Sequence, residues 1–204
     1  MIIITHPTPV ENEIHIIHSL FSEGLELLHI RRPDYTENEM KLFLSQIGLP
    51  FRNRLVLHHY HHLAQAFKIH RLHFSESDRI ARNVLPNRTL NLFRSKKTVS
   101  STSTHSIEDF NALDNSFEYA FLSPVFSSIS KKGYASKLDF SLAIKSRSNH
   151  KTKLVALGGI QFENIEQALS FGFDDVALLG TIWEGGNPIE NFKLCRQTAL
   201  SHSL

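Results

Sequence analysis

Eight short runs rich in Ile, Val, Leu and Phe recur along the chain: IIIT (2–5), LELLHIR (25–31), RLVLH (54–58), IHRLHF (69–74), TVSS (98–101), YAFLS (119–123), KLVAL (153–157) and DVALL (175–179). Nearly all precede a stretch with apolar residues at helical spacing, such as Ile14, Ile17, Leu20 and Phe21, or Met40, Leu42, Phe43 and Ile47. Strands that alternate with helices imply a parallel sheet, because parallel neighbours need a crossover connection. Apolar strands without clean alternation suit a sheet covered by helices. Eight such units in 204 residues, 41% of them hydrophobic, predict a small single-domain (β/α)8 TIM barrel over residues 1–204. A doubly wound open sheet shares the local pattern and differs in strand count. Two segments are irregular: 75–97, where SESDRIARNVL reads as a helix and TLNLF imitates a strand, and 124–138, which reads as a long loop.

Charge and cysteine content narrow the setting. Lys plus Arg number 22 against 20 for Asp plus Glu, so no field of one sign marks a dedicated nucleic-acid binder. Thirteen histidines predict that stability depends on pH. A single cysteine, Cys195, cannot form an internal disulfide and fits a reducing compartment, most simply the cytoplasm. The apolar start, Met1 to Ile4, is too brief for a signal peptide or a membrane span.

In a barrel of this kind the chemistry belongs at the carboxyl ends of the strands. After the seventh run, Gly158 and Gly159 let the backbone approach a ligand closely; after the eighth, Leu179 and Gly180 do the same. Either element alone also suits a tight turn, but together they predict a phosphate seat. The loop after the sixth run carries Ser127, Ser128, Ser130, Lys131 and Lys132, a mixture suited to phosphate oxygens and also common in solvated loops. Arg31 ends the second run and calls for an anionic partner in the barrel mouth, while Arg32 is expected to face the other way, into solvent. Asp78 suits either Mg²⁺ or a helix cap. Ser103 and His105 read by default as caps of a helix from Ser106 to Leu113.

The run LVLHHYHHLA places four histidines in five positions, with His58 and His59 at the end of the third strand and His61 and His62 in the first turn of the next helix. Four ligands cannot converge from such a stretch, and C-x-x-C and H-E-x-x-H are absent. The run is therefore not expected to be a zinc motif.

Taken in order, the strand-end segments resemble the thiamine phosphate synthase and TenI family. ITHP is similar to its opening strand, LLHIRRP to its second-strand motif, RLHFSESD to its Val-His-Leu-Gly-Gln-Glu-Asp stretch, STSTHS to its Ser-x-His segment, and YAFLSPVFSSISKKG to its Gly-Pro-Val-Phe loop, while KLVALGGI and DDVALLGTI match the two phosphate loops. The resemblance implies a TIM barrel that joins hydroxymethylpyrimidine diphosphate to thiazole phosphate and expels diphosphate with Mg²⁺. It implies small-molecule phosphate and diphosphate substrates, no nucleic acid or membrane, and a chain that can pair with a copy of itself.

Carried over residue by residue, Arg31, Ser128, Ser130 and Lys131 would hold the diphosphate, with Arg31, Ser130 and Lys131 in the catalytic role. Gly158, Gly159, Leu179 and Gly180 would bind the thiazole phosphate, and Ser103, His29 and His58 would meet substrate. Asp78 and His59 stand at the metal positions. His29 stands where synthases have Gln, Pro33 where they have Lys, and His58 and His59 where they have an Asn–Asp pair. Imidazole in place of carboxylate weakens Mg²⁺ binding or favours a softer metal. The TenI-type tautomerase histidine is here Pro124, so a tautomerase would need His29 or His58 instead; a non-catalytic binder of thiazole or thiamine phosphate is the third reading.

Overall fold

A computed structural model of the chain describes residues 1–84, 98–126 and 140–202. Its eight strands are β1 (Ile2–Ile4), β2 (Leu27–Ile30), β3 (Leu55–Leu57), β4 (Arg71–Phe74), β5 (Val99–Thr104), β6 (Phe117–Leu122), β7 (Lys153–Leu157) and β8 (Asp175–Leu178). They pair in parallel, in chain order, and β8 closes on β1 through Ile3 opposite Leu178. The predicted eight-stranded barrel is the observed one. The α-helices among the described residues are α1 (Glu13–Ser22), α2 (Glu37–Ile47), α3 (Leu63–Ala66), α4 (Glu76–Val84), α5 (Ile107–Asn111), α6 (Phe140–Ala143), α7 (Ile165–Phe171), α8 (Gly180–Trp183) and α9 (Pro188–His202). The imitation strand TLNLF lies outside the described residues. Among the described residues no helix is long and apolar enough to cross a membrane.

Period-2 alternation gives each strand two buried faces. Ile3, Leu28, Ile30, Leu55 and Leu57 face outward and join the larger apolar cluster with helix residues such as Ile17, Leu20, Met40 and Leu44. Ile2, Ile4, Tyr119, Phe121, Val155 and Ala177 face inward and fill the lumen as a second cluster. That double coverage explains why the strands read as apolar runs without clean alternation.

Three local expectations change. β5 runs to Thr104, well past TVSS, because its hydroxyls bond to neighbouring strands: Thr102 Oγ1 donates to the Phe74 carbonyl at 2.8 Å and Thr104 Oγ1 to that of Phe121 at 3.0 Å. Ser106, not Ser103 or His105, caps α5, accepting from the Asp109 N–H at 3.0 Å. Arg32 is fully buried rather than solvated. The outside of this barrel is lined by helices, so an outward side chain meets α1 and α2: Arg32 pairs with Glu13, donates to the Thr8 carbonyl at 2.9 Å and lies 5.0 Å from the Phe43 ring. Burial raises the Glu13 carboxyl's pKa, and Arg32 opposes that shift.

Candidate active site

A cavity of about 560 Å³ opens at the carboxyl ends of the strands. Arg31, His58, His73, Ser103, Gly158, Gly159, Leu179 and Gly180 all line it, so the mouth collects residues from β2 through β8. Ile4, Phe121, Leu157 and Ala177 supply an apolar floor and wall.

The glycine elements sit as their sequence implies. Gly158 (φ +94°) and Gly159 (φ +65°) are both left-handed, a conformation costly for any side chain. A Cβ on Gly158 would come within 2.9 Å of Pro124 Cα, because the loop after β6 is pressed against it. That loop is tied down by the Val125 N–H on the Leu157 carbonyl and the Phe126 N–H on the Gly158 carbonyl, each at 3.0 Å. The two glycine-bearing loops are joined to each other through Thr181 Oγ1, which donates to the Ile160 carbonyl at 2.5 Å. Leu179 caps α8, and Gly180 is that helix's first residue.

Arg31 follows β2 with its backbone locked to β1: its N–H donates to Thr5 Oγ1 at 2.9 Å, and that hydroxyl reaches the Arg31 carbonyl at 3.1 Å. Its guanidinium lines the cavity and makes no ion pair among the described residues. Ser128, Ser130 and Lys131, the other residues assigned to the diphosphate, lie outside the described residues, as do Ser127 and Lys132.

Asp78 lies in the first turn of α4 and is engaged there: Ser75 Oγ donates to its carboxylate at 2.5 Å, and its own N–H donates to Ser75 Oγ at 3.1 Å. This is the reciprocal arrangement of a helix cap. His59 faces solvent with its ring partly desolvated, and that desolvation, followed by the nearby Arg31 charge, lowers its pKa.

The four histidines of HHYHH part company, helped by Tyr60 at φ +54°. His58 enters the lumen, His59 faces solvent, His61 Nε2 reaches the Leu57 and His73 carbonyls at 3.1 and 3.0 Å, and His62 Nε2 meets Glu37 at 3.0 Å. His61 and His62 precede α3 rather than forming its first turn.

In the lumen His58 meets two histidines from other strands. His29 Nδ1 lies 2.9 Å from His58 Nε2, and His29 Nε2 lies 2.6 Å from the Tyr119 hydroxyl. His73 stacks on His58 at 4.2 Å between ring centroids, its two nitrogens against Ser101 Oγ (2.9 Å) and Ser103 Oγ (3.0 Å). Burial, followed by the neighbouring His73, holds His29 and His58 well below the ordinary imidazole pKa. Burial, followed by His61, pushes His73 down to about 3. All three rings are therefore neutral near pH 7. His73 carries no role from sequence reasoning; its inward parity on β4, opposite Ser101 on β5, is the signal that finds it.

A family model described as thiamine monophosphate synthase matches residues 1–182. The thiamine-phosphate synthase of Leptospira biflexa is 25% identical over 183 residues, covering 86% of this chain and 84% of that protein. The thiamine-phosphate synthase of Prochlorococcus marinus is 24% identical over 192 residues, which are 90% of this chain and 51% of that longer protein. Among solved structures, the thiamine phosphate pyrophosphorylase of Bacteroides thetaiotaomicron superposes with a TM-score of 0.76 at 26% identity, over 98% of this chain and 96% of that one. The thiamine phosphate pyrophosphorylase of Pyrococcus furiosus shares the fold, with a TM-score of 0.76 at 16% identity over 98% of this chain and 95% of that one.

Proposed function

Because the chain belongs to the thiamine monophosphate synthase family, we propose that it is a transferase of thiamine biosynthesis, joining hydroxymethylpyrimidine diphosphate to thiazole phosphate with release of diphosphate. The observation that carries this reading is one cavity shared by an Arg31 guanidinium without an ion pair among the described residues and by two glycine-bearing strand-end loops. A cation and a backbone phosphate seat on one cavity suit two anionic substrates whose reacting carbons must meet.

The difficult step is separation of diphosphate from a pyrimidine carbon that becomes cationic. Fixed positive charge against the leaving group lowers that barrier, because the charge is already oriented when the bond breaks. Arg31 supplies it, and Ser128, Ser130 and Lys131 are assigned to the same task by resemblance. The backbone at Gly158, Gly159, Leu179 and Gly180 holds the thiazole phosphate. Phe121, Leu157 and Ala177 exclude water from the carbon that becomes cationic.

A protein-held Mg²⁺ fits the described residues poorly. The hard cation wants several oxygen donors, whereas Asp78 is bonded to Ser75 and its expected partner is the imidazole of His59. The ion enters the assay as the counter-ion of the diphosphate. Cys195 is wholly buried, with its thiol pushed up to about 12 by burial, so it is inert, in keeping with a cytoplasmic enzyme.

The test is incubation of the pure chain with both substrates and Mg²⁺. Thiamine phosphate and diphosphate should appear in equal amounts; no thiamine phosphate above the protein-free background would overturn the proposal.

A further inference from the structure

We propose that His29, His58 and His73 form a site for one divalent transition-metal ion of the zinc class at the floor of the cavity, with a coordination position left open towards it. One nitrogen from each ring lies within 4.8 Å of the others. An ion held at about 2.0–2.1 Å from each nitrogen needs them only a little over 3 Å apart. The His29 and His58 nitrogens are 2.9 Å apart, so on binding these two part slightly and His73 draws in towards them.

Two of the three rings, His29 and His73, also have partners for their outer nitrogens. Metal-bound imidazoles characteristically use their other nitrogen to bond a neighbouring group, which fixes the ring's tautomer and orientation. His29 turns Nε2 to the Tyr119 hydroxyl at 2.6 Å, and His73 has a serine hydroxyl at each nitrogen, so whichever nitrogen ligates, the other stays held. When the ion enters between His29 and His58, the proton shared there moves to an outer nitrogen of the same ring, and both ligands stay neutral.

The donor set selects the metal. Three neutral nitrogens suit Zn²⁺, Co²⁺ and their neighbours and are a poor match for Mg²⁺. The ligands come from β2, from the residue that follows β3, and from β4, so pairing of neighbouring strands rather than any local motif assembles the site. His58 and His73 line the cavity while His29 lies fully buried behind them. The fourth position therefore faces the cavity, where it takes water or an anionic oxygen.

The test uses the untagged full chain, stripped with a chelator and titrated with Co²⁺. The expected result is saturation at one equivalent, with the intense visible absorption of a four-coordinate cobalt centre that Zn²⁺ abolishes by displacement. His58→Asn, at the half-buried ligand, should lose the band while keeping its far-UV circular dichroism, and His62→Ala should keep it. Thermal melting gives a second readout without a variant: Zn²⁺ should raise Tm and Mg²⁺ should not. A weak octahedral spectrum, a band that survives His58→Asn, or equal stabilisation by Mg²⁺ and Zn²⁺ would overturn the proposal.

Discussion

His29 and His58 stand 29 residues apart in sequence and 2.9 Å apart between Nδ1 and Nε2. One ring must donate and the other accept, so the contact persists only while at least one of them is neutral. The lumen around them, filled by Ile4, Tyr119 and Phe121, keeps both so.

Tyr119 anchors this pair from below. Tyr119→Phe removes the hydroxyl bonded to His29 Nε2 and leaves a buried ring nitrogen without a partner. The expected loss is about 1–3 kcal/mol, read as a lower urea midpoint with an unchanged slope.

Acid should unfold the metal-free protein early. The folded chain keeps His73 unprotonated down to about pH 3, and His29 and His58 are lowered by the same burial, whereas the unfolded chain takes up protons near 6.5. The unfolded state thus binds more protons in that window, so stability is full above pH 6.5 and falls as pH drops towards 3. His73 alone contributes a loss of about 2 kcal/mol between pH 6.5 and 5, and His29 and His58 add to it in the same direction. Urea midpoints at pH 7.5, 6 and 5 should decrease in that order; a flat series would contradict the neutral-histidine reading.

Gly158 tests the proposed phosphate seat. Gly158→Ala forces a side chain onto a backbone at φ +94° and against Pro124. Destabilisation of roughly 1–3 kcal/mol is expected, together with a KM for thiazole phosphate that rises more than the KM for the pyrimidine diphosphate. Equal changes in both would detach the loop from the thiazole phosphate.

Arg31 and Arg32 are neighbours with opposite expectations. Arg31→Gln should leave Tm nearly unchanged, since the guanidinium has no ion pair among the described residues, yet lower kcat by about 10²–10³.

Arg32→Met should do the reverse. It leaves the Glu13 carboxylate buried without its partner, at a cost of about 3–5 kcal/mol of stability. Chemical denaturation and steady-state rates on both variants would separate the two roles; an Arg31 variant that is unstable but active would reject the assignment.

Much of this molecule is legible in its sequence because strand and helix periods are local. Eight apolar runs gave eight strands, and Gly158, Gly159 and Gly180 fell at strand ends where the cavity lies. The full length of β5 is hidden in the sequence because its Ser and Thr hydroxyls look polar in isolation and find their carbonyl partners only across the sheet. The burial of Arg32 is hidden for a related reason: strand alternation says which way a side chain points, but not whether that side holds water or helices.

Asp78 is the opposite case, since the partner of its cap, Ser75, stands three residues before it in the sequence. The histidines show the limit most plainly. The crowded HHYHH run drew attention by its density, yet its members diverge, and the ring that matters, His58, joins His29 and His73 from elsewhere in the chain. Residue type and period determined which strands exist and which side chains point inward. Only closure of the barrel, with the stagger between strands that closure imposes, decided which inward side chains share a level and so which of them can act together.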